Sequence, residues 1–175
     1  MTEKLLRRNQ DVAAWDYRLP LAVTLAASVA LSLVSMHYSP ILNRDGMMYI
    51  HLARLIGDGR LDSALALFDW PFFPALLAAL KAVLPLSLMH IAYGTSLLFA
   101  ALTSWMLVVL MHRAVPTGNI WWAVLLALSL PATDQYRPDV LRDWPAWFFM
   151  LLSVWVYLRY SAGHAWRWAL AFGCA

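Results

Sequence analysis

Apolar and polar positions fall along this chain in long blocks, and most of the apolar blocks approach the length of a membrane-crossing helix. The first runs from Leu19 to Met36, with Pro20 in its opening turn and no charge inside. At 1.5 Å per residue such a run just crosses the ~30 Å hydrocarbon layer of a bilayer. Further apolar runs cover residues 88–111, 120–133 and 144–160, and a partial fifth starts at Trp168 and continues to Ala175. These elements predict an all-α polytopic membrane protein with about four full transmembrane helices and a partial fifth.

Residues 37–87 follow a different pattern. Two amphipathic pieces, about Gly46 to Ile56 and about Phe72 to Leu84, are separated by the turn-prone GDGRLD and interrupted by Trp70-Pro71 and Pro74. In the first piece Met48, Leu52, Leu55 and Ile56 share one helical face, while His51, Arg54 and Asp58 share the other. That pattern predicts helices lying in the membrane interface.

Composition agrees with the blocks. The 175 residues are 62% hydrophobic and 13% charged, with ten Trp, too apolar a mixture for a soluble domain of this length. The net charge of +3 is small and the basic residues lie between apolar blocks, which argues against a nucleic-acid surface. Cys174 is the single cysteine, so no intrachain disulfide is possible. The polar, basic residues 1–18 precede an apolar run too long for a signal peptide and without a small-residue cleavage site, so the run reads as a retained helix. Lys4, Arg7, Arg8, Arg18, Arg113, Arg159 and Arg167 fall on one side if four spans alternate, which predicts a cytoplasmic N-terminus ahead of a single membrane domain over residues 19–175. Segments 37–87 and 134–143 then face outward together, carrying seven of the ten carboxylates.

Two outward clusters could carry chemistry. Asp45 precedes Gly46 at the expected start of an interfacial helix, where a carboxylate caps backbone N–H groups for ~1 kcal/mol or serves as a general base tuned by partial dehydration and by Arg44. In the second cluster, DQYRPDVLRDWPAWFF, Arg137, Asp139, Arg142 and Asp143 stand at the mouth of the fourth span. Asp139 and Asp143 share a face if that helix starts early, with Pro138 in its first turn. Ionisable groups so near hydrocarbon are costly and read either as interfacial ion pairs or as a site. His51, His90 and His112 have no metal-ligand spacing, and Trp121, Trp122, Trp144 and Trp147 read as aromatic-belt anchors. There is no Gly-rich phosphate loop and no Ser/His/Asp arrangement.

In order and spacing, RDGMMYIHLARLIGDGRL, FDWPFFPALLAALKAVLP, VVLMHRAVPTGN and RPDVLRDWPAWFFMLLSVWVYLRY resemble the polytopic GT-C glycosyltransferases of the protein mannosyltransferase, aminoarabinose transferase and RgtA/B/C/D-like group. The resemblance covers about residues 15–170. It implies transfer of a sugar from a polyprenyl-phosphate donor to a lipid, glycan or protein acceptor on the outer face of a bacterial plasma membrane. Asp45 corresponds to the family's catalytic acid after the first span. The acid before the fourth span corresponds best to Asp143, with Asp139 the rival. Arg44, Arg137 and Arg142 are implied as carrier-phosphate ligands, or a divalent metal ion near Asp143 takes that part. The chain departs from some relatives in having Asp69 before Trp70-Pro71 and in the displaced Pro74. Family members continue for more spans, so the chain is expected to be the N-terminal part of a larger enzyme. Two other readings compete: a non-catalytic membrane subunit that binds lipid or a partner protein, and a transporter fragment, disfavoured because its spans hold almost no carboxylates.

Overall fold

The computed structural model describes residues 17–163, apart from Pro40 and Thr117. The expected polar tail, but for its last two residues, and the expected partial fifth span over 168–175 lie outside the described residues. All regular structure among these residues is helical: α1 (Arg18–Tyr38), α2 (Arg44–Gly57), α3 (Leu61–Leu67), α4 (Phe72–Val83), α5 (Leu88–Ala114), α6 (Ile120–Leu128), α7 (Pro131–Tyr136) and α8 (Asp143–Gly163). The central helix is α5, which packs against α1, α8, α6, α4 and α2.

Side chains in α1 are distributed inside out by the standards of a water-soluble protein. Its buried residues are Pro20, Thr24, Ser28 and Ser32, a stripe of small residues four apart, while Leu33 and Val34 are exposed. Small and hydroxyl-bearing side chains let two helices approach closely and hydrogen-bond across their contact, the preferred arrangement where lipid covers the outside. Ser28 and Ser104 make such a contact across α1 and α5, with hydroxyl oxygens 3.2 Å apart. Helices α1 and α5 are both long and apolar enough to cross a membrane.

The four expected crossings are not all present as single helices. Where residues 120–133 predict a span, α6 is nine residues long, about 13 Å and less than half the hydrocarbon thickness. The break follows from Pro131, which lacks an N–H and would clash with the carbonyl four residues back; it opens the separate short helix α7 instead. At 21 residues, α8 is long enough, but by length and composition only α1 and α5 among the described residues qualify as crossings.

The interfacial segment folds as a small unit against α5. Tyr49, Ile50 and Ala53 of α2 pack with Phe73 and Leu77 of α4, Ile91 of α5 and Val140. His51, Arg54 and Asp58 stay exposed on the opposite face of α2. GDGRLD ends α2 with Gly59 at φ +76°, where Arg60 N–H reaches Leu55 O at 2.8 Å and Gly59 N–H reaches Ile56 O at 3.0 Å. The chain then forms α3, a helix the turn signal masks in the sequence.

The ends of the long helices sort into two groups. Tyr17, just before α1, lies 4.6 Å ring to ring from His112 near the end of α5, and Arg113 donates to Leu158 O in α8 at 3.1 Å. The start of α1 and the ends of α5 and α8 therefore share one end of the bundle. At the other end, α1 runs into α2 and the segment after α7 runs into α8.

Candidate active site

Helix α2 begins one residue earlier than Asp45, at Arg44, so Asp45 is not its N-cap as expected. The residue before the helix is Asn43, in an extended conformation, and its side chain does not cap α2 either. Instead its Oδ1 accepts from Val140 N–H at 3.1 Å and its Nδ2 donates to Val140 O at 3.3 Å. A single amide side chain thus satisfies both backbone groups of Val140, a residue with no exposed surface, and ties the α1–α2 corner to a segment 97 residues away.

Gly46 makes the approach possible. A Cβ there would lie 2.6 Å from Asn43 Oδ1, 2.7 Å from Leu42 Cδ1 and 2.9 Å from Val140 Cβ. Asp45, next to it in the first turn of α2, stays exposed, as does Arg44.

Across the seam, residues 138–142 form an irregular turn, with Asp139 N–H on Tyr136 O at 3.1 Å, and α8 starts at Asp143. Pro138 is therefore outside α8, and Asp139 and Asp143 do not sit on one helical face as the sequence spacing suggested. Trp144, expected as a lipid-facing anchor, is 1% exposed and its backbone carbonyl accepts from Thr103 Oγ1 at 3.4 Å, whereas Trp121 and Trp122 are exposed. Trp144 and Pro145 fix the start of α8 against the bundle and leave Arg142 and Asp143 at its surface.

The charges of the two corners share one field. Burial pushes the Asp139 carboxyl above its ordinary value, and the nearby Asp45 charge pushes it in the same direction. Burial likewise raises the Tyr49 phenol, which Arg142 pulls back down while Asp45 and Asp143 push it up. Tyr49 is 2% exposed and stacks edge-on against Phe68 and Phe73, at 5.9 and 5.3 Å. The Arg142 guanidinium lies 5.1 Å from the centre of the Phe68 ring. Beside it, Arg142 and Asp143 form the polar edge of a cavity of about 420 Å³ whose other walls include Trp70, Phe72, Phe73 and Phe149.

Arg142 and Asp143 thus line the cavity, while Asp45 acts electrostatically on Asp139 and, with Arg142 and Asp143, on Tyr49; Arg44 is exposed beside Asp45. Arg137 stands apart. Its side chain is buried and runs inward: Nε donates to Asp134 at 2.7 Å, and Nη1 to Ser28 Oγ at 3.0 Å, Ser28 O at 3.4 Å and Ser32 Oγ at 3.4 Å. Nη2 has no partner among the described residues. Arg137 braces α7 against α1 and offers no surface at the mouth.

Asn43, Tyr49 and Phe68 did not emerge from sequence reasoning. Asn43 carried only the signal of a cap-type residue before a helix, and the two aromatics belonged to apolar runs. Among the described residues no group of three or more His, Cys, Asp or Glu is placed to hold a metal ion.

Compared with family models, curated proteins and solved structures, the chain matches none.

Proposed function

We propose that the mouth formed by Asp45, Asp139, Arg142 and Asp143 is the donor and catalytic corner of a membrane glycosyltransferase using a polyprenyl-phosphate sugar. The observation that carries this reading is the Asn43–Val140 pairing, which joins two acidic corners beside a cation and an aromatic-walled cavity. Glycosyl transfer needs that combination: a base for the acceptor hydroxyl, a cation for the departing phosphate, and an apolar surface for the carrier's tail.

In the reaction, the acceptor oxygen bonds to the anomeric carbon as its proton passes to Asp45. The bond from that carbon to the carrier phosphate breaks with its electron pair remaining on the phosphate, beside Arg142. Direct attack inverts the sugar. Burial together with the Asp45 charge raises the Asp139 carboxyl, the second acid of the site.

The same reading sets the topology. Arg18, Arg113 and Arg159 gather at the end of the bundle opposite the mouth, so the excess of positive charge makes that end cytoplasmic and the mouth external. Helices α1, α5 and α8 cross the bilayer, and α6 with α7 make a broken fourth crossing whose interior polar groups Arg137 braces.

The test is transfer from a polyprenyl-phosphate sugar in membranes carrying the full chain. Asp45→Asn and Arg142→Gln each lower the rate by at least about 100-fold, the scale of a lost general base or electrostatic contact. Undiminished transfer in Asp45→Asn, or donor binding without any transfer by the wild type, refutes the reading; the latter outcome makes the chain a lipid-binding subunit.

A further inference from the structure

Two cavities open at the end of the bundle opposite Asp45, and both border His112 and Ile120. One, of about 320 Å³, has apolar walls from Leu21 and Val109 and a mouth formed by Tyr17, Arg113, Trp155 and Arg159. The other, of about 400 Å³, is almost wholly apolar and includes Met111, Trp122 and Leu126. The His112 Nδ1 atom between them is buried with no partner among the described residues.

No carboxylate lines either cavity among the described residues. The Arg159 guanidinium rests 5.1 Å from the Trp155 ring centre, and Arg113 spends one Nη2 hydrogen on Leu158 O. Each guanidinium has five N–H donors, so both keep donors for an anion. A cationic pair, Arg113 half-buried and Arg159 exposed, at the smaller cleft, with the second apolar cleft adjoining it through His112 and Ile120 and Tyr and Trp side chains suited to the headgroup level beside it, matches a molecule with a phosphate at one end and hydrocarbon at the other.

We infer that this end holds an anionic glycerophospholipid, its phosphate between Arg113 and Arg159 and its acyl chains along the clefts on either side of His112 and Ile120. The site is separate from the mouth at Asp45 and takes its ligand from the opposite leaflet. A bound lipid there ties the ends of α5 and α8 to the start of α6, closing the bundle end that the short α6 leaves thin.

Native mass spectrometry of the full chain released from neutral detergent, with equimolar phosphatidylglycerol and phosphatidylcholine present, tests the site. Wild type retains phosphatidylglycerol preferentially. Joint replacement Arg113→Gln with Arg159→Gln lowers that preference about 25-fold, roughly 5-fold per arginine. Should the double variant fail to fold, Arg159→Gln alone, an exposed position, gives about 5-fold, and Arg159→Lys restores most of it. Arg54→Gln, exposed on α2, leaves the preference unchanged. The inference is overturned by an unchanged preference in the arginine variants, by an equal loss in Arg54→Gln, or by inorganic phosphate binding as tightly as the lipid.

Discussion

Replacing Gly46 by alanine isolates the close approach on which the mouth depends. Alanine is favoured over glycine inside a helix by up to ~1 kcal/mol, so on helix propensity alone the change stabilises α2. The packing opposes it. The new methyl would lie within 3.0 Å of three atoms, and the two that matter are held in place: Asn43 Oδ1 by its bond to Val140 N–H, and Val140 Cβ by a fully buried environment. Overpacking of this kind costs ~1–3 kcal/mol, so the net effect is a loss of about 1–2 kcal/mol with a widened seam. Gly57, at the other end of the same helix, has nothing within 4 Å of an added Cβ. Gly57→Ala therefore stabilises by up to ~1 kcal/mol through the same propensity. Thermal unfolding of the chain in micelles, followed by circular dichroism, reads both. The midpoint falls by about 2–8 °C for Gly46→Ala and holds or rises for Gly57→Ala. Equal shifts of the same sign, or a more stable Gly46→Ala, refute the close-approach argument.

Other substitutions separate the parts of the account. Asn43→Ala orphans both backbone groups of the buried Val140, a loss of ~2–4 kcal/mol visible in the same melts and accompanied by loss of transfer. Arg137→Ala removes a buried guanidinium from α1 and α7 and destabilises by ~2–4 kcal/mol, a range kept low because Asp134 is half-exposed; Arg142→Ala, at the surface, leaves the melt within ~0.5 kcal/mol while abolishing donor binding measured by scintillation proximity. The folded Asp139 carboxyl titrates above the unfolded one, near ~3.9, so wild-type stability declines as pH rises between the two values and is level above them. Asp139→Asn lacks that decline, so it is more stable than wild type at neutral pH and the difference closes below about pH 4, as melts across pH report.

The sequence revealed those parts of the fold whose signal is long or periodic. The blocks that became α1 and α5 are apolar over 18 residues or more, and the face of α2 repeats at helical spacing, so both were visible without tertiary information. Pro131 was equally visible, yet its consequence was not, because a proline near the end of an apolar run is compatible with a helix that stops and with one that breaks and restarts as α7. Gly46 carried no signal of its role. In the sequence it stood only as the first residue of the expected amphipathic piece, whereas in the fold it is the point of close contact with Val140. Asp45, Asp139, Asp143 and Arg142 were all identifiable as costly charges near apolar blocks. Which of Arg137 and Arg142 faces the mouth was not legible, since the irregular turn at 138–142 has no period from which to read a direction. Nor could any local pattern reveal that Asn43 copies a backbone pairing with a partner 97 residues away.

The proposed site stands on Asp45 acting electrostatically on Asp139 across the Asn43–Val140 seam. Carboxyl-carbon NMR of 13C-labelled aspartates follows the Asp139 titration directly in the wild type, in Asp45→Asn and in Asp134→Asn. Removing the Asp45 charge lowers the Asp139 midpoint yet leaves it above the ordinary carboxyl value, because burial remains, and Asp134→Asn leaves it in place. A midpoint indifferent to Asp45 would place the two acidic corners out of each other's reach and dissolve the site.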